Sequence, residues 1–199
     1  MRALGEDLAD LGRPRLFRPW NDTRFHPRPP VKEHVGLAVG YEGAGGYYVE
    51  LSLDGFLVAA GIYQPAPDQL DRLRRAIDDG RTAAPLTRAI ARAQRAGLAL
   101  AEPALVRAPR GYAADHPRLR LLRCKSLTVS RRHALGPWLH RPKAGRTIRE
   151  ELEAATPSGG AAMPRGRGAG SRSGSCSAGG PGAGDRLHSR AAHARARAR

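Results

Sequence analysis

The sequence predicts an α+β domain, an antiparallel sheet with helices covering one face, and three observations carry that expectation. Apolar, β-branched and aromatic runs crowd together between Val35 and Gln64, with glycine-rich junctions and an Asp54-Gly55 step between them, as in a meander of strands. Within the middle run Tyr47, Val49, Leu51 and Leu53 alternate with Tyr48, Glu50 and Ser52, which makes one face apolar and the other mixed. Beyond Pro67 the apolar spacing changes to that of helices, whose stripes are suited to cover the apolar face.

The meander occupies residues 35–41, 46–53 and 56–63, and Asp54-Gly55 supplies a two-residue hairpin turn. A helix over 68–79 lines up Leu70, Leu73 and Ile77 and stops at Gly80; a second, over 85–96, carries Leu86, Ile90 and Ala93 and ends at Gly97. Short strands follow at 98–100 and 104–107, then a brief helix over 117–123 and a strand over 126–130. The last helix, 148–155, opens on Thr147-Ile-Arg-Glu150, the spacing of a capping box in which hydroxyl and carboxylate satisfy each other's backbone donors. After Thr156-Pro157 the composition turns to Gly, Ser, Ala and Arg, too apolar-poor to offset the entropy of ordering. The expected organisation is a single domain over 1–156 and a disordered tail over 157–199.

A chain of 199 residues has room for one domain with a real core. Its formal charge of +16 suggests a polyanionic partner, but two details weaken that inference. Only Lys32, Lys125 and Lys143 are lysine among 34 basic residues, and with abundant Ala, Gly and Pro this resembles GC-rich coding more than a designed binding face. Residues 157–199 also hold eight Arg against one Asp, so much of the charge lies outside the expected fold. Cys124 and Cys176 form no framework for disulfides. The acidic residues in Met1-Arg-Ala-Leu-Gly-Glu-Asp7 do not suit a signal peptide, and no apolar run approaches the ~20 residues that span a bilayer. A soluble, cytoplasmic protein is expected.

Several blocks occur in one order: Asp22-Thr-Arg-Phe25, Lys32-Glu-His34-Val-Gly36, Gly45-Gly-Tyr-Tyr48, Gly61-Ile-Tyr-Gln-Pro-Ala-Pro67, and Ala108-Pro-Arg-Gly-Tyr-Ala-Ala-Asp-His-Pro117 with Lys125-Ser126. In this series the chain resembles the bacterial domain of unknown function 2461 over about residues 13–156, the span of one ordinary domain. The resemblance implies a bacterial α+β domain and no particular chemistry. Three departures accompany it: a shorter N-terminal helical segment, a loop at 25–32 one residue short and lacking the usual Ser and acid, and the Gly/Arg tail where a Trp-containing apolar helix is usual. A frameshift near codon 157 would produce the last of these.

Candidate site residues come from the same blocks. Lysines kept in an arginine-rich chain suggest positions that need a compact ammonium, and Arg24, Lys32, His34, Tyr63, Arg110, Asp115 and Lys125, with His116 near, are the candidate pocket for a small phosphate or carboxylate. The competing reading is scaffold, with Arg24 paired to Asp22, Lys32 covering apolar surface and His34 flanking a strand; it carries the greater weight. Asp115-His116-Pro117 reads more readily as the start of a helix than as an acid and base. Asp22, His34, Asp115 and His116 lack metal-ligand spacing, Lys125-Ser126 lacks the Ser-x-x-Lys of hydrolases, and Gly43-Ala-Gly-Gly46 lacks the phosphate-loop lysine. No metal or cofactor is expected. Of the functions left open, binding of a small anionic ligand leads, by an enzyme or a binding domain. The alternatives are nucleic-acid binding through Tyr41, Tyr47, Tyr48 and Tyr63 with surface arginines, and a structural or partner-binding domain.

Overall fold

The computed structural model describes residues 1–21, 23–24, 29–42 and 45–156, without the side chains of Tyr41 and Glu42. Its strands are β1 (Pro14–Leu16), β2 (His34–Glu42), β3 (Gly45–Ser52), β4 (Gly55–Ile62), β5 (Ala99–Leu100) and β6 (Leu127–His133). They form one sheet in the order β1-β2-β3-β4-β6-β5, and every pairing is antiparallel. The helices are α1 (Arg2–Asp7), α2 (Pro67–Asp78), α3 (Gly80–Arg95), α4 (Leu119–Leu122) and α5 (Lys143–Ala154), with 3-10 turns at Ala9–Leu11 and Pro137–His140. These residues belong to one compact unit, Met1–Gly166. The expectation of disorder for 157–199 falls outside the described residues.

The meander expected from alternation is present, and register shows why it is two-faced. Leu37 pairs with Val49 and Val49 with Val58, so apolar side chains stand in rows across the strands. One cluster joins Leu37, Val39, Val49, Phe56 and Val58 to Leu8, Ile148 and Leu152. A second joins Ile62, Leu127 and Val129 to Leu73, Ile77, Leu98 and Leu122. Each fully buried side chain of this kind stabilises the fold by about 1.5–3 kcal/mol, so α1, α2, α3 and α5 are held on this face mainly by burial. Gly61, at φ +137, is the tight point of the sheet: a Cβ there would lie 2.2 Å from Leu127 O.

Local chemistry moved several boundaries. The hairpin turn is Leu53-Asp54 rather than Asp54-Gly55; neither turn residue takes positive φ, which falls instead on Gly55, at φ +132 and paired with Ser52. The second helix starts at Gly80, five residues before the expected start, because Asp79 caps it at once by accepting the Arg81 N–H on Oδ1 at 3.0 Å. Pro85 consequently lies inside α3. The capping box at Thr147 does not form, since α5 already begins at Lys143, two residues after the 3-10 turn, and buries Ala144 in its first turn. No strand forms at 104–107: Leu105 exchanges bonds with Arg123 through its N–H and carbonyl, and Val106 is 87% exposed. The helix expected over 117–123 contracts to α4, and the strand expected at 126–130 runs on to His133.

Two elements had no counterpart in the sequence reading, α1 and β1. β1 is held by its pairing with β2, and the segment before it is tied down from afar: Arg149 of α5 donates to both oxygens of Asp10 at 2.8 and 3.0 Å and also to Asp7 O at the end of α1. This guanidinium holds the Asp10 carboxyl below its ordinary range. A further polar clamp joins α5 to β6. Glu151, only 4% exposed, accepts from Arg131 Nη1 at 3.0 Å and lies 2.9 Å from His133 Nε2, whose ring packs on Trp138 at 5.0 Å. Among the described residues no helix is long and apolar enough to cross a membrane.

Two outcomes are expected. Leu152→Ala should cost about 2–5 kcal/mol, while Leu53→Ala, at an 84% exposed side chain, should stay within about 0.5 kcal/mol of wild type; urea denaturation compares them. The capping bond from the Arg81 N–H lowers the Asp79 pKa from 3.8, so its stabilisation is complete above that value and lost as pH falls below it. Asp79→Ala should therefore be less stable than wild type at neutral pH, and acid titration should narrow the gap.

Candidate functional site

The face of the sheet turned away from the clusters above is the chemically distinctive one. Register places Gly36, Glu50, Leu57 and Arg132 in one row across β2, β3, β4 and β6, with Ala38, Tyr48, Ala59 and Ser130 in the next row. A third row holds His34, Ser52 and Gly55. Arg15, paired with Ala38, extends the second row onto β1. Small residues on β2 leave room for larger ones beside them. A Cβ on Gly36 would meet Tyr48 Oη at 2.6 Å, so the tyrosine ring occupies the place of the missing side chain. There it lies 6.2 Å from the Phe17 ring, over which Arg15 Cζ sits at 5.5 Å.

Glu50 is the centre of this face and is 0% exposed. An ionised carboxylate taken out of water loses several kcal/mol of solvation and requires donors or cations around it. Tyr48 Oη donates to Glu50 Oε2 at 2.7 Å, and Arg132 Nη2 stands 4.0 Å from Oε1. Arg132 Nη1 donates to Ser52 Oγ at 3.3 Å, and Ser52 Oγ in turn donates to Gly55 O at 3.3 Å. The missing side chain at Gly55 serves the turn, since at φ +132 a Cβ would collide with the His133 backbone oxygen, while Arg132 Cγ passes at 3.2 Å. Burial, reinforced by the Glu50 carboxylate, pushes the Tyr48 hydroxyl pKa far above its ordinary value of 10.0, with Tyr63 adding to the effect. The hydroxyl is thus a permanent donor at ordinary pH.

The residues nominated from the sequence are distributed unevenly around this cluster. His34 lies on the same face, next to Ser52, and Tyr63 is close enough to bear electrostatically on Tyr48. Lys32 is half-buried where its N–H donates to Pro19 O at 2.7 Å, and Arg24 is exposed within the same excursion between β1 and β2. Lys125 precedes β6, whose first residue pairs with Ile62, whereas His34 shares the Ser52–Gly55 row. The seven steps of β4 between those rows span about 23 Å, so Lys125 and His34 stand at opposite ends of the sheet. Gln64, at φ +48, donates its N–H to Ser126 Oγ at 3.2 Å and fixes that far end.

Arg110 and Asp115 are exposed in the loop before α4, which is attached to the helical layer. Arg118 Nε donates to Ile77 O at 2.5 Å and Nη2 to Asp78 O at 2.6 Å; His116 Nε2 lies 3.1 Å from Asp78 Oδ1. His116 Nδ1 accepts the Arg118 N–H at 3.0 Å, so the histidine, not Asp115, serves the start of α4. Asp22 lies outside the described residues, as does the Tyr41 side chain. Tyr47 packs among the helix-side clusters and bonds Thr156 Oγ1 at 2.5 Å, an orientation that takes it off any base-stacking surface.

Sequence reasoning missed Glu50, Arg132 and Arg15. A carboxylate flanked by Tyr48 and apolar neighbours, opposite strands rich in Gly and Ala, was the available signal for Glu50. Other chemistry is weak among the described residues: no group of three or more His, Cys, Asp or Glu is placed to hold a metal. Cys124 is buried, which raises its thiol pKa and removes it as a ready nucleophile. A recess of about 710 Å³, walled largely by apolar residues such as Met1, Leu4, Phe56 and Ile148, opens on the helical side and is separate from the polar cluster.

A family profile described as "Conserved hypothetical protein (DUF2461)" matches residues 6–158. No curated protein and no solved structure matches the chain.

The raised Tyr48 pKa means that the folded chain holds this proton more tightly than the unfolded chain. Its stabilisation is complete below 10.0 and is lost as pH rises beyond that value. In alkaline titration followed by tyrosinate absorbance, Tyr48 should ionise last, and Tyr48→Phe should lack that late phase. A late phase retained by the variant refutes the assignment.

Proposed function

The chain belongs to the DUF2461 family, and we propose that its polar sheet face binds a small anionic ligand, a carboxylate or phosphate, anchored by Arg132. The observation that carries this reading is the cluster of Tyr48, Glu50, Ser52 and Arg132 set among small residues. A guanidinium has five N–H donors, and Ser52 and Glu50 engage only Nη1 and, at 4.0 Å, Nη2. Its side chain keeps 30% exposure, which leaves donors for a bidentate contact. Arg132 offsets the buried carboxylate of Glu50, and Arg15, on the same face but four strands away on β1, adds positive charge to the face as a whole.

In this reading Glu50 and Ser52 orient Arg132, Tyr48 donates to Glu50, and His34 and Tyr63 bracket the site from its two ends. Arg24 and Lys32 supply further positive charge from the excursion between β1 and β2. Arg110 and Asp115 are left out, because their loop leads to the helical layer; of the two residues at the far sheet end, Tyr63 is kept because it bears electrostatically on Tyr48, and Lys125 is not. We also place the protein in a bacterial cytoplasm. Support comes from the cysteines: Cys124 is a free buried thiol and Cys176 is the only other one in the sequence.

Calorimetric titration with inorganic phosphate, acetate and succinate tests the reading. At least one anion should bind, and Arg132→Gln should weaken it by about 10–150-fold, as expected for a lost charged hydrogen-bonding group worth about 1.5–3 kcal/mol. Arg107→Gln, which removes an exposed charge elsewhere, should leave the affinity unchanged. Equal binding by wild type and Arg132→Gln would falsify the assignment.

A further inference from the structure

We infer that the outward face of α3 is a docking surface for a nucleic-acid backbone, independent of the sheet-face site. Gly80–Arg95 contains Arg81, Arg88, Arg92 and Arg95 and not one Asp or Glu. By contrast, α2 carries Asp68, Asp71 and Asp78 among its arginines and pairs Arg72 with Asp68 at 2.8 Å. The uncompensated charge is therefore a property of one helix, beyond the arginine richness of the whole chain.

Geometry arranges that charge as a line. Arg81, Arg88 and Arg95 recur every seven residues, and a helix advances about 10.5 Å over that interval with a drift of only about 20°. All three are exposed. The opposite side of α3 buries Ala83, Ala89 and Ala93 against the fold, so the row points away from α2, α5 and the sheet. Arg92 turns inward and donates to Thr156 O. Among the described residues none of the three aligned arginines forms an ion pair; Arg81 feels Asp79, whose carboxylate is engaged by the Arg81 and Thr82 N–H groups.

Charge complementarity selects the partner. A rigid row of three guanidinium groups about 21 Å long matches a polymer with regularly spaced monoanions, and duplex DNA presents one phosphate per about 3.4 Å along each strand. Guanidinium forks bind phosphate oxygens bidentately. Such contacts read no sequence, so the surface positions the protein on the backbone without specifying a site.

Binding of the full chain to a fluorescent 20-base-pair duplex, measured against salt, tests the inference. Full-length protein is needed, and the arginines of 157–199 add binding of their own, so the change in salt slope is the informative quantity. Replacing Arg81, Arg88 and Arg95 together by Gln should lower the slope of log K against log salt by about 2.7, from three lost phosphate contacts. Gln has nearly the helix propensity of Arg, and circular-dichroism melting should confirm an unchanged fold. A charge-matched triple, Arg107→Gln with Arg141→Gln and Arg146→Gln, should leave the slope as in wild type. Equal effects of the two triples, or no effect of the α3 triple, would overturn the inference. So would loss of binding to phosphatidylserine vesicles with duplex binding intact, which would assign the row to a membrane surface instead.

Discussion

A fully buried carboxylate is the constraint around which the polar half of this protein is arranged. Glu50 lies on the central strand of the meander and has no solvent exposure, so its charge must be met from within the fold. Tyr48 meets it from two residues away on the same strand, at 2.7 Å, and Arg132 meets it from two strands away. The first approach depends on a missing side chain: Gly36 yields its space to the tyrosine ring. One charge in the wrong medium thus accounts for a donor on Oε2, a cation beside Oε1 and the glycine that makes room for the donor.

The two sides of β3 obey different physics. On the helical side burial is non-directional, and the clusters around Leu37, Val49 and Leu122 tolerate small adjustments of packing. On the polar side the hydrogen bonds have fixed partners and directions. Glu151 brings a little of that directionality to the helical side, because its bonds to Arg131 and His133 fix the angle at which α5 meets β6. The apolar clusters hold the layers together, and these few polar contacts specify their orientation.

This contrast also explains what the sequence disclosed. The meander and α2 were legible because alternation in 46–53 and the spacing of Leu70, Leu73 and Ile77 are local patterns that packing then exploits. β1 escaped notice since all three of its residues are exposed and show no alternation. The signature at Thr147 misled because a burial preference further upstream, at Ala144, started the helix earlier. Around the polar cluster, the sequence named His34, in the Ser52–Gly55 row, and Tyr63, just past the other end of β4. Its centre was hidden, because the row from Gly36 through Glu50 and Leu57 to Arg132 exists only once three pairings have set the register.

The outermost strands of the sheet are its shortest. β1 contributes three residues, beginning with a proline that offers no backbone donor, and β5 contributes two. The apolar β3 and β4 are kept internal, between partners on both sides. A second molecule seeking to extend the ladder finds only a two- or three-residue edge strand at each margin. The same alternation that builds the core would, on an open margin, invite fibrillar stacking; brevity at the rim confines that tendency to the interior of a single chain.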